Sequence, residues 1–126
     1  MLVFTCAASA GAHAGLVPAH LNAEPRLGTA FLIVVVLLVA AAISVAARPG
    51  DRRITSAAGV LLAGLILAYV VSRTIGIPVV DPEPEAVDAV GIATNVVEAL
   101  GVVVALGLIH SVGRQRRLTH LQEVPR

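Results

Sequence analysis

A chain of 126 residues that is 57% hydrophobic and 13% charged, with a mean hydropathy of +0.91, carries more apolar surface than a soluble domain of that size can hide. Its net charge of +1 and its 2% of aromatic residues exclude a basic or base-stacking nucleic-acid surface. Its one cysteine excludes an internal disulfide and any Cys-x-x-Cys metal or redox pair, so the solvent and first partner expected for this chain is a lipid bilayer.

Residues 1–17 form an apolar run broken only by His13 and stopped by Pro18. The run is short for a span, which takes about 20 residues. Three readings follow: a retained first span, a cleaved signal peptide ending near Ala8-Ser9-Ala10 or Ala12-His13-Ala14, or an interfacial helix. No Lys or Arg precedes the apolar run, which favours the retained span. Cys6 follows a poor lipoprotein box, Val3-Phe4-Thr5, and reads as a small buried apolar residue. A polar segment over 18–27 then carries His20, Glu24 and Arg26.

The clearest span is 28–47, which is uncharged from Gly28 to Ala47. Arg48-Pro49-Gly50-Asp51-Arg52-Arg53 follows, a turn flanked by stop-transfer arginines. The next span, 54–72, holds Ala58, Gly59, Ala63 and Gly64, small residues that permit close helix approach. It ends at Arg73, which forms a polar corner with Tyr69 and Ser72, and Asp88 or Glu85 is the partner expected for Arg73. Alternating prolines hold Asp81-Pro82-Glu83-Pro84-Glu85 extended. The last span, 89–110, starts after an expected N-cap at Asp88, and a basic tail fills 113–126. The reading is one domain over 1–112, an all-α integral membrane four-helix bundle, or three spans if the N-terminal segment is cleaved.

All nine basic residues are arginine. Seven of them, Arg48, Arg52, Arg53, Arg114, Arg116, Arg117 and Arg126, fall on one alternating side. Positive charge in short loops stays cytoplasmic, so that side is expected inside a plasma (inner) membrane, with both termini cytoplasmic. The acidic 81–88 loop and the 18–27 segment then face out.

Few residues can carry chemistry. Glu98 lies about ten residues into the last span, near the midplane, where a charge is costly. Asp88, Asn95 and Glu98 are spaced by seven and three, which puts them on one helix face pointing into the bundle. This stripe reads either as a proton or cation site, or as a neutral Glu98 hydrogen-bonded to a neighbouring helix. Near the outer end, His13, His20 and Glu24 are the candidate ligands for a divalent transition metal, since imidazole and carboxylate suit such ions. The alternative is an interfacial histidine with Glu24 solvated or paired to Arg26. By helix depth His13, rather than His20, is placed to approach Glu98. His110 sits at the opposite end from His13, against a haem held by that pair. No catalytic or cofactor-binding motif is present, and an enzyme is not expected.

His20-x-x-x-Glu24 ahead of a Gly28-x-x-Phe31 span, then Ser72-Arg73-Thr74-Ile75-Gly76-Ile77-Pro78, then acidic residues and a Glu98-bearing last span, resembles a group of uncharacterised small four-span actinobacterial membrane proteins. The resemblance runs from His13 to Glu98 and departs in the first span, which is shorter here. It implies a four-helix membrane bundle and supplies no activity. Three readings compete. The first is a binding or accessory module with an outward His/Glu/Arg cluster that takes a metal ion. The second is an assembly subunit of a larger membrane complex, with an unpacked small-residue face that includes Gly101 and Gly107. The third is an ion- or proton-coupled carrier component that works as a homo-oligomer around Glu98.

Overall fold

The computed structural model describes residues 1–77 and 83–122, with side chains as far as Ser111. Among these residues the chain is all-α, with helices α1 (Leu2–Ala23), α2 (Pro25–Ala47), α3 (Arg52–Thr74) and α4 (Ala89–Gln122). Each contains a segment long and apolar enough to cross a membrane, which for α4 is Ala89–Ser111. Pro78 of the Ser-Arg-Thr motif and the Asp81-Pro82 pair lie outside the described residues.

The first helix is longer than the 1–17 run expected from sequence. Pro18 does not end it; α1 continues to Ala23, giving 22 residues or about 33 Å of rise. A proline removes one backbone donor and strains one turn. Membrane helices tolerate this, and the Pro18 ring stands on an exposed face. The chain turns at Glu24, where the backbone is extended (φ −142°, ψ 95°). Pro25 then opens α2, at the position where a missing N–H costs nothing. That start lies three residues before the expected Gly28.

The α2–α3 turn follows the sequence signal. Gly50 adopts φ +90°, open to glycine at no steric cost. Asp51 caps α3 by accepting from the backbone N–H of Arg53 at 2.8 Å and of Ile54 at 3.4 Å. Helix α4 runs past residue 110 to Gln122: no proline lies between them, and Gly113 is the one weak helix former it passes through.

Each helix packs against the two that neighbour it in a ring: α1 on α2 and α4, and α3 on α2 and α4. The core is thin. Leu38, Leu62, Cys6, Ala58 and Ala105 are buried at its centre. Gly101 is packed against Leu62 and Thr5, whereas Gly107 meets no neighbour. Of the small residues of α3, Ala58 is buried and Ala63 and Gly64 are exposed. Most large apolar side chains point outward, with Phe4 70%, Val60 72% and Val103 66% exposed. In water such a belt would drive aggregation; in a bilayer it is solvated by acyl chains.

Candidate functional site: a polar cavity at one end of the bundle

The ends of α1 and α3 and the starts of α2 and α4 enclose a cavity of about 420 Å³. Its deeper walls are apolar, with Leu16, Phe31, Val34 and Leu65. Its loop end is polar, with Tyr69, Arg73, Glu85, Asp88 and Asn95, and His13 and His20 line one side. That division suits a molecule with an apolar body and a polar head, and the volume lies in the ordinary range for small-ligand sites.

Arg73 organises the polar end. Its Nη1 donates to Glu85 Oε2 and its Nη2 to Asp88 Oδ2 at 2.9 Å. Both carboxylates expected as its partners therefore bind it together. Asp88 also caps α4, accepting the Gly91 N–H at 2.8 Å. The Glu85 backbone N–H donates to the Ser72 carbonyl at 3.0 Å, which fastens the 83–88 segment over the end of α3. The Arg73 guanidinium stacks over the Tyr69 ring, 4.8 Å from its centroid. Tyr69 lies so close to α4 that a Cβ on Gly91 would sit 2.5 Å from its Cε2, so only glycine leaves it this place.

The histidine side is held by α1 and α2. Nδ1 of His13 lies 2.9 Å from the Ser9 carbonyl, and Nδ1 of His20 lies 2.9 Å from the Leu16 carbonyl. Each carbonyl accepts, so Nδ1–H is the donor and Nε2 is left as an acceptor. The Phe31 ring lies against both imidazoles, with centroids 5.4 Å from His13 and 4.6 Å from His20. Glu24 is not one of the cavity-lining residues; its backbone forms the α1–α2 corner. Among the described residues no three His, Cys, Asp or Glu side chains gather as a metal-binding set.

Three polar atoms of cavity-lining residues are buried without a hydrogen-bond partner: Tyr69 Oη, Arg73 Nε and Asn95 Oδ1. Asn95 uses its amide N–H on the Gly91 carbonyl, which leaves the oxygen over. A buried polar group without a partner costs about 1–3 kcal/mol, and all three atoms belong to residues that line this one cavity.

Glu98 lies deeper on α4 and is 1% exposed. Its Oε1 accepts a hydrogen bond from Ser9 Oγ of α1 at 2.7 Å. Spacing had placed Asp88, Asn95 and Glu98 on one inward face, and all three meet other helices or the cavity. Two residues of this cluster, Ser9 and Phe31, escaped the sequence reading. Ser9 sits in an apolar run with nothing to announce a partner 89 positions away, although its place four residues before His13 puts both on one face of α1. Phe31 entered only as part of a motif, and its packing between two histidines has no local signature. Comparison with protein-family models, curated proteins and solved structures gave no match for this chain.

Proposed function

We propose that this protein is a multi-pass binding module of the plasma membrane, holding a small amphipathic organic molecule in the cavity between its four helices. The single observation that carries this reading is the two-part lining of that cavity, apolar in its depth and polar at its loop end. Tyr69 Oη and Arg73 Nε can donate, and Asn95 Oδ1 can only accept. The polar loop end, which offers both donors and acceptors, suits a head group that both accepts and donates, such as an alcohol or an amide. An anionic head is disfavoured, because both terminal nitrogens of Arg73 already serve Glu85 and Asp88. A bare metal ion held by His13, His20 and Glu24 is disfavoured because Glu24 lines no part of the cavity. With the arginine-rich loops inside, both termini are cytoplasmic and the cavity faces the exterior.

The chain carries its own reporter. Tyr69 is its one tyrosine, there is no tryptophan, and Tyr69 lines the cavity. A bromine-substituted medium-chain alcohol should quench Tyr69 emission saturably in detergent-purified protein. Ala30→Leu, which fills the cavity, should weaken that binding at least about tenfold, a loss of about 1.4 kcal/mol. Quenching that rises without saturation, equally in both proteins, would sink the reading.

A further inference from the structure

The cavity lining does not include Glu98, yet an unbroken file of polar groups joins the two. Glu98 Oε1 accepts from Ser9 Oγ at 2.7 Å, and Ser9 Oγ lies 3.4 Å from Nδ1 of His13, which lines the cavity. Ser9 and Glu98 are each 1% exposed, so neither side chain faces the surroundings of the bundle directly. We propose that Glu98 is a proton-exchange site near the middle of the membrane, served from the cavity alone through Ser9 and His13. The proposal rests on the geometry of the file and not on what occupies the cavity.

The surroundings make the route one-sided. Toward the other end of the bundle the interior holds Leu38, Leu62, Ala58 and Ala105, which carry no proton, and Thr55, whose hydroxyl donates to the Asp51 carbonyl at 2.9 Å. The next polar group on α1, Thr5, turns its hydroxyl to the Leu2 carbonyl at 2.9 Å. On α1 the titratable side chains are Cys6, His13 and His20, and Cys6 is fully buried. Helix α2 carries only Arg26, in its first turn. Helix α3 carries Arg52 and Arg53 at the far end and Tyr69 and Arg73 at the cavity. As far as Ser111, α4 adds only His110 to Glu98, with Asp88 just ahead at the cavity. A groove between α1 and α4 also reaches Ser9, but Ala8, Ala12, Ala93 and Val97 line it, with Thr94 its one other polar side chain.

The transfer balances without a co-reactant. A doubly protonated His13 swings its Nδ1–H from the Ser9 carbonyl to Ser9 Oγ and passes that proton on while the Ser9 hydroxyl proton passes to Glu98 Oε1. His13 is left neutral with its proton on Nε2, and Glu98 becomes the neutral acid, the form a low-dielectric site favours. Release runs the same two transfers backward. The 3.4 Å leg exceeds an ordinary hydrogen bond and must shorten for each transfer, so it limits the rate.

The test follows Glu98 in the full chain, reconstituted in vesicles, by infrared difference spectroscopy after a pH jump. The Glu98 bands are those lost in Glu98→Gln. Ser9→Ala and His13→Leu each remove one leg with little change of volume, so a folding failure in one leaves the other informative. The bands should respond in the wild type, and the response should slow at least about tenfold in either variant. Equal rates in wild type and variant, or no Glu98 response between about pH 4 and pH 10, would overturn the proposal.

Discussion

The Ser9–Glu98 hydrogen bond joins two of the most buried side chains in the molecule, one on α1 and one on α4. Its energetic worth differs from its value for transfer. Interhelical hydrogen bonds in membranes contribute about 0.6 kcal/mol on average and reach about 1.7, because the unfolded helices find other partners in the bilayer. A buried carboxyl with few alternatives belongs at the upper end. Ser9→Ala and Glu98→Leu should therefore couple by about 1–2 kcal/mol in a double-mutant cycle of reversible unfolding in denaturing detergent. Single-variant costs that add to within about 0.3 kcal/mol would mean that the two side chains do not depend on one another. The same local chemistry explains what the sequence disclosed at this scale. Glu98 announces itself because a carboxyl in an apolar run is costly, and Arg73 because an arginine closing a span faces acidic residues across a short loop. Ser9 is silent because a serine suits a membrane helix with or without a partner.

At the scale of the helix, the α1–α2 pair determines where the histidines stand. A Cβ on Gly28 would fall 2.5 Å from the Leu21 backbone nitrogen and 2.6 Å from its Cα, so α1 and α2 touch there through main chain. Backbone cannot swing aside as a side chain can. Gly28→Ala should therefore cost about 2–3 kcal/mol, while Gly15→Ala, with open space around its position on α1, should cost little. Unfolding midpoints of the two variants check this, and a Gly28→Ala protein as stable as wild type would remove the close crossing as the device that sets Phe31 beside His13 and His20. The crossing also shows why the first span is misread from sequence alone. Proline as a stop signal is a rule for helices whose freed carbonyls meet water. Here Pro18 lies one turn before a tight contact, and the helix is held through it. The later helices were legible because long uncharged runs mark them and Asp88 caps α4, whereas the Asp51 cap, which starts α3 at Arg52, lay hidden in a turn signal. The overrun of α4 into the tail was not, since a polar, proline-free segment reads equally as loop or helix.

For the whole molecule, charge is the physical handle on orientation. The end away from the cavity carries Arg48, Arg52 and Arg53 in one short loop, and four more arginines follow His110. The cavity end carries Arg26 and Arg73, and Arg73 is neutralised by Glu85 and Asp88. An arginine fastened to two carboxylates is less available to hold its loop in the cytoplasm, so the asymmetry in effective charge exceeds the count. Reporter fusions after Gly50 should be cytoplasmic and fusions after Glu85 exterior. Replacing Arg48, Arg52 and Arg53 with alanine should produce a mixed population, because the tail arginines still favour the original orientation. The reverse assignment for the unmodified chain would open the cavity to the cytoplasm. Glu98 would then exchange protons with the cytoplasm through the same Ser9–His13 file, and any bound amphiphile would arrive from inside the cell.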